Sequence, residues 1–319
     1  MKTTLFTCLL FVLLLFISSN KADIIEIEES DMNSYTNNPN IEKNVPFNGE
    51  RLLDVYYNKK DFSHKKPVVI NVYGGSWVGG NKIRYTKIGS LLEENNYVGV
   101  LPNYVLFPNG TIDDMVDDLY KAIQWTYTNI EEFGGNKDDI SIVAHSAGAH
   151  LIALTIIKAA LNLSNNGVKL EPLPYLKNVV LLNGPYIFDQ EFIAYTLQGS
   201  TDTSNATATS DPKQQALLQQ LMYKYYNDPE ISPIEIIKGY EKNSINNHFN
   251  VNKFTFHYTS LDKVVPESSA KQLINEIMRT SNTQFEYIYT EGLEHASVVN
   301  GIRADDYEFE QFYLNLIKN

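Results

Sequence analysis

The chain has 319 residues, of which 43% are apolar, 12% aromatic and 20% charged. That is enough apolar material for a sizeable core, and it excludes disordered, collagenous and disulfide-scaffold classes. The 26 basic and 38 acidic residues leave a formal net charge of −12, which argues against a nucleic-acid or anionic-membrane partner because phosphate binding needs clustered Lys and Arg.

Met1–Ala22 combines Lys2, a largely apolar run of 13 residues from Leu5 to Ile17, and small polar residues after it. The run has the length of a signal-peptide core and is too short to span a bilayer comfortably. Residues 1–22 are therefore expected to be a signal peptide, cleaved after Ser19 or Ala22, that sends a secreted or lumenal protein into the secretory pathway; an uncleaved signal anchor is the alternative. Cleavage removes Cys8, the single cysteine, and with it any thiolate nucleophile or Cys-ligated zinc. Acceptor sequons stand at Asn109, Asn162 and Asn205, candidates for glycosylation on that route.

After an extended polar lead-in from Asp23 to Asn48, apolar runs of strand length recur at 52–57, 68–73, 98–101, 140–144, 179–182, 254–258 and 285–289. Several are continuously apolar, as strands covered on both faces are. Helical periodicity fills the gaps. Ile112, Met115, Val116, Leu119, Tyr120, Ile123 and Tyr127 share one face, with Thr111 as N-cap and Asp113 and Asp114 at the positive end of the dipole. Phe309, Phe312, Tyr313, Leu316 and Ile317 form another such face. The alternation predicts one α/β domain over 23–319: a mostly parallel sheet with helices on both faces and active-site loops at the carboxyl ends of its strands. Residues 184–252 interrupt the pattern with no clear strand, a low-complexity run at Gly199–Ser210, and helices near Gln214–Tyr226 and Pro233–Tyr240. They are expected to be a helical lid inserted between two strands. Its apolar residues Leu217, Leu218, Leu221, Met222, Tyr223, Tyr225 and Tyr226 fit either an apolar substrate group or packing on the sheet.

The strand at 140–144 runs through His145 into Ser146 and directly into the helix that begins at Ala147. A serine on such a strand-turn-helix, in Ala144-His145-Ser146-Ala147-Gly148, has the setting of an activated nucleophile, whose sharp turn tolerates only small neighbours. Gly74 and Gly75, in Tyr73-Gly74-Gly75-Ser76-Trp77 after the 68–73 strand, allow backbone N–H groups to approach a substrate oxygen. With the N–H of Ala147 they are the candidate oxyanion donors. The chain then offers an acid, Asp262, and a base, His295, each just past a strand's carboxyl end and in the order serine, acid, histidine that suits proton relay. Asp189 is a second candidate acid. His145 and His150 are expected to pack rather than react. His64, His248 and His257 have no acidic partner that can be placed from the sequence. No His/Glu cluster has metal-ligand spacing, so neither a metal nor any other cofactor is expected.

Phe107–Val116, Glu132-Phe133-Gly134-Gly135, Ala144–His150, the Gly-Gly-Ser-Trp segment and Ser260-Leu261-Asp262-Lys263-Val264-Val265-Pro266 together resemble prenylcysteine α-carboxyl methylesterases, the isoprenylcysteine methylesterase-like group of α/β-hydrolases. The similarity is dense over 68–163 and loose over 230–299. Kynurenine formamidase-like hydrolases share part of the pattern, and the Phe-Gly-Gly before the nucleophile strand favours the methylesterase group. The resemblance implies an α/β-hydrolase fold with Ser146 as nucleophile, Asp262 as acid, His295 as base, and Gly74, Gly75 and Ala147 around the oxyanion. Two positions depart from the family pattern: Tyr73 stands where it has His, and Ala144 where it has the first elbow Gly; backbone donors survive both changes. The expected activity is carboxylic ester hydrolysis through an acyl-enzyme, on a small ester with an apolar group, a prenylcysteine methyl ester being the one the resemblance implies. Two alternatives are an arylformamidase-like amide hydrolase with the same triad and a catalytically silent secreted binding module of the same fold.

Overall fold

The computed structural model describes residues 28–201 and 211–318; the expected signal peptide at 1–22 and the Asn205 sequon lie outside the described residues. One sheet carries the fold. Its eight strands are β1 (Ile41–Asn48), β2 (Arg51–Tyr56), β3 (Lys66–Val72), β4 (Val98–Pro102), β5 (Gly135–His145), β6 (Leu176–Leu182), β7 (Val251–Thr259) and β8 (Gln284–Thr290), laid out in the order β1-β2-β4-β3-β5-β6-β7-β8. β2 runs antiparallel to both its neighbours, and all the later pairings are parallel. The seven apolar runs are β2 to β8. Val68, Val69, Ile70, Ile140, Ile142, Val179 and Val180 are fully buried at its centre, as a sheet with both faces covered requires.

The helices are α1 (Glu29–Asn37), α2 (Thr86–Glu94), α3 (Ile112–Asn129), α4 (Ala147–Ala160), α5 (Gln190–Thr201), α6 (Pro212–Lys224), α7 (Pro233–Lys238), α8 (Ser268–Thr280), α9 (Ser297–Arg303) and α10 (Tyr307–Lys318). The expected cap of α3 is present as a reciprocal pair. Asp114 N–H donates to Thr111 Oγ1 at 3.1 Å, and Thr111 N–H donates to Asp114 Oδ2 at 2.8 Å, which satisfies two donors that a helix start leaves open. Every residue of α4 is buried. A helix apolar all round must be enclosed on all sides, so the helix behind Ser146 is a fixed support.

Two expectations need correction. The lead-in at 23–48 is not uniformly extended: within its described part it forms α1 and then β1. α1 has no apolar stripe to announce it; Arg303 holds it instead through Asp31 at 2.7 Å and Glu28 at 2.8 Å. β1 is an edge strand that buries fully only Ile41 and pairs with β2 through two irregularities. The second correction is in 184–252, where α5 precedes the two expected helices. Of the apolar residues there, Leu218, Leu221, Met222 and Tyr225 are buried in the core while Tyr223 and Tyr226 face outward. The Tyr225 hydroxyl accepts the Ile112 N–H at 3.1 Å, fastening α6 to the start of α3.

Candidate active site

The turn between β5 and α4 puts Ser146 at φ 53°, ψ −122°, a left-handed conformation that costs a residue with a Cβ on the order of 1–3 kcal/mol. Neighbouring backbone compels it. Ser146 N–H donates to Leu182 O at 2.8 Å across to β6, and His150 N–H to Ser146 O at 3.1 Å. A Cβ on Gly148 would lie 2.4 Å from Tyr73 O and 2.8 Å from Val72 O, so the elbow closes only with glycine there. Ala144, by contrast, is accommodated in the buried core.

Ser146, Asp262 and His295, predicted from loops on three different strands, meet in one relay. Ser146 Oγ is 2.8 Å from His295 Nε2, and His295 Nδ1 is 2.7 Å from Asp262 Oδ2. Asp262 Oδ1 accepts the N–H groups of Val264 and Val265 at 2.8 and 2.9 Å, and Oδ2 also accepts Asn183 Nδ2–H at 2.7 Å. Burial alone would raise the Asp262 pKa; the charge of His295 and the hydrogen bonds from His295, Val265 and Val264 outweigh it and hold the group below the usual carboxylate range. The carboxylate therefore stays ionised and fixes the imidazole with its proton on Nδ1, leaving Nε2 to accept from the serine hydroxyl. All three side chains are nearly enclosed, which strengthens the relay by lowering the local dielectric.

Gly74 packs directly on the elbow: a Cβ there would sit 2.8 Å from Ser146 Cβ. Gly75 has φ 136°, and a Cβ on it would overlap Gly79 O at 2.1 Å; its carbonyl receives the N–H groups of Val78 and Gly79. Ala147 opens α4, in the first turn where N–H groups have no partner within the helix. Tyr73 stacks on Tyr104 with ring centroids 4.5 Å apart, and Tyr104 OH donates to Tyr73 O at 3.0 Å, so the loop rests on an aromatic pair.

The competing residues have other duties. Asp189 Oδ1 accepts Phe192 N–H at 2.8 Å and so caps the start of α5. His150 Nδ1 accepts the Trp77 indole N–H at 3.0 Å, which forces the proton onto Nε2, and that donates to Ile231 O at 2.8 Å; burial holds its pKa down to about 4. It is a satisfied buried histidine that ties the glycine loop, α4 and the 184–252 segment together, and Phe188 packs against both rings at 5.3 Å and 5.0 Å. His257 bonds Thr290 Oγ1 at 3.0 Å. His145 reaches His295, with Nε2 2.9 Å from the His295 main-chain carbonyl. His64 and His248 are exposed and stand apart from this cluster. Of the sequons, Asn109 is exposed, while Asn162 is half-buried and donates its side-chain N–H to Leu170 O at 3.1 Å.

Sequence reasoning missed Asn183 and Tyr195. Asn183 follows the last residue of β6 in a left-handed conformation, φ 49°, and bridges Asp262 Oδ2 to Thr259 Oγ1 at 2.7 and 2.8 Å. Its place just past a strand's carboxyl end is the signal that singled out Asp262. Tyr195 on α5 donates to the Asp262 carbonyl at 2.5 Å, and Thr196 to Val264 O at 2.8 Å. Nothing local in the sequence marks either contact, since both depend on how α5 folds back.

Comparison with known proteins agrees with this architecture. The chain is 37% identical over 108 residues to isoprenylcysteine alpha-carbonyl methylesterase ICME of Arabidopsis thaliana, covering 34% of this chain and 25% of that one. It is 35% identical over 117 residues to esterase LipQ of Mycobacterium tuberculosis, 36% of this chain and 28% of that one. These matches span about a quarter of the length of the curated relatives. The solved structure of the Pyrobaculum calidifontis esterase superposes with a TM-score of 0.63 at 18% identity, covering 97% of each chain, a likeness of fold. The methylesterase resemblance and the α/β-hydrolase fold expected from the motifs are thus borne out. The BD-FAE family model matches residues 53–252, from β2 through the elbow to the start of β7, and the chain belongs to the BD-FAE family.

Proposed function

We propose that the protein is a serine carboxylesterase. The observation that carries the reading is the continuous relay from Ser146 Oγ through His295 to Asp262, at 2.8 and 2.7 Å, on a strained turn. Ser146 Oγ attacks the ester carbonyl as its proton passes to His295 Nε2, while Asp262 stabilises the imidazolium that forms. Collapse of the tetrahedral intermediate returns that proton to the leaving alcohol. A water activated by His295 then hydrolyses the acyl-enzyme and restores the hydroxyl. The developing oxyanion takes the N–H groups of Gly74, Gly75 and Ala147; each such donor is worth on the order of 3 kcal/mol of barrier.

The segment 184–252 serves as a lid, supported by the bonds of Tyr195 and Thr196 to the Asp262–Val264 backbone. The named activities of the relatives support an ester as substrate, and the similarity to isoprenylcysteine methylesterase supports a methyl ester with an apolar neighbour. Secretion and glycosylation at Asn109 rest on the sequence of residues 1–22 and on that asparagine's exposure.

The test is hydrolysis of short-chain p-nitrophenyl esters beside an aryl formamide and a prenylcysteine methyl ester, with Ser146→Ala as control. Ester turnover that disappears in the variant is the expected result. Preference for the formamide would move the protein to amide chemistry, and no turnover with no fluorophosphonate labelling would leave a binding module of this fold.

A further inference from the structure

The four strands β5, β6, β7 and β8 lie side by side, so the loop that carries His295 leaves the sheet three strand positions from the strand that carries Ser146. At about 4.8 Å per strand that is roughly 14 Å, and the loop after β8 has to reach back over the sheet to bring His295 Nε2 within 2.8 Å of Ser146 Oγ. The Asp262 bond holds the imidazole but not the main chain that bears it. Leu261 N–H ties the loop at Leu293 O, 2.9 Å, and Ser297 Oγ accepts Glu294 N–H at 2.9 Å; at the main chain of His295 itself the tie comes from the residue adjoining the nucleophile. His145 Nε2 lies 2.9 Å from the His295 carbonyl oxygen. A carbonyl only accepts, so Nε2 carries the proton and His145 is the donor.

We propose that His145 is a positioning residue: through its Nε2–H it clasps the His295 main chain to the elbow and so sets the distance between base and nucleophile. This role rests on the serine-esterase reading above. Three features of the site fit the clasp. The two imidazole rings are in contact, with centroids 4.9 Å apart, so a shift of the His295 loop would be felt at once by His145. The ring is wedged under the glycine loop, with Nδ1 3.0 Å from where a Gly74 Cβ would lie, which leaves it little freedom to turn. Nδ1 is buried without a partner, a cost accepted at a site where the other nitrogen has work to do. Burial first, and the charge of His295 second, keep its pKa down to about 3. His145 is then uncharged while His295 cycles through imidazolium, and it adds no repulsion to the charge the reaction creates.

The experiment compares His145→Phe and His145→Gln in the full protein, measuring kcat and KM on a p-nitrophenyl ester, the rate of fluorophosphonate labelling, and thermal midpoint. Phe keeps a planar ring and apolar packing but has no donor; the Gln amide places an N–H at the reach of Nε2 and has nothing at Nδ1. The clasp predicts that Phe lowers kcat and the labelling rate on the order of 10–100-fold, as a displacement of the base by about 1 Å would, with KM within about twofold. Gln restores both to within a few-fold of the wild type. A Phe variant as active as wild type overturns the clasp, as does a Gln variant no better than Phe at an unchanged thermal midpoint. If the wild type neither turns over ester nor is labelled, the esterase reading falls and the clasp with it.

Discussion

At the residue scale the acid of the relay leads to a sharp expectation. The two backbone N–H donors on Asp262 Oδ1 would force an asparagine there to present its carbonyl to them. Its amide nitrogen would then face His295 Nδ1 and Asn183 Nδ2, which are both donors. His295 would have to shift its proton to Nε2, where it blocks acceptance from Ser146. Asp262→Asn should therefore reduce kcat by on the order of 10⁴-fold while leaving KM close to wild type, measured on the same ester. A loss of tenfold or less would mean that His295 does not depend on this carboxylate for its tautomer. The geometry behind this was only partly legible beforehand. Ser146, Asp262 and His295 could be named because each follows an apolar strand in the required order. Asn183, which shares the same carboxylate oxygen, lies equally close to a strand end but carries no reactive group to draw attention.

At the scale of elements, two short stretches have energetics that can be checked. Thr111→Ala removes the hydroxyl half of the α3 cap, the acceptor for Asp114 N–H, and leaves the backbone N–H of residue 111 on Asp114; it should cost about 1 kcal/mol of stability, read as a lower denaturant midpoint with an unchanged slope. Gly148→Ala is more severe because the new methyl would meet the main chain at the end of β3 and just past it, Val72 O at 2.8 Å and Tyr73 O at 2.4 Å, and backbone cannot swing aside as a side-chain end can. It should destabilise by about 2 kcal/mol and also lower the fluorophosphonate labelling rate, since Ser146 rides on the same turn. Normal stability with normal labelling would contradict the close approach of α4 to β3. Strands β2 to β8 and helix α3 were readable because burial on both faces and on one face leave distinct periods. α1 and β1 were not, because they are held by Arg303 and by edge pairing, neither of which imprints an apolar pattern.

For the whole molecule, the buried histidines set the response to acid. Burial holds His145, His150 and His257 down to about 3, 4 and 4, below the ordinary value near 6.5. The unfolded chain therefore binds protons that the folded chain refuses. Stability from this source is complete above pH 6.5 and declines as the pH falls toward 4, by up to about 1.4 kcal/mol per pH unit for each histidine. Asp262, whose folded pKa is lowered, contributes stability that is present above its unfolded value near 3.8 and is lost as the pH falls through the folded one, so its window lies lower. Denaturant midpoints at pH 7 and pH 5 should differ clearly, with proton uptake on unfolding approaching three near pH 5. Equal midpoints would show that these rings reach solvent.

The sequence by itself determined the sheet, because continuous apolar runs can be buried only between two helical layers. It also marked the residues of the proposed relay and their order, because the elbow, the glycine loop and the strand-end acid and histidine are local features of the chain. The tertiary structure alone decided what surrounds them. Asn183 on the acid, His145 on the backbone of the base, Tyr195 on the acid loop and Arg303 on α1 join residues 67 to 272 positions apart. A hydrogen bond between groups so distant leaves no periodicity in the chain; it exists only once packing has brought donor and acceptor into reach.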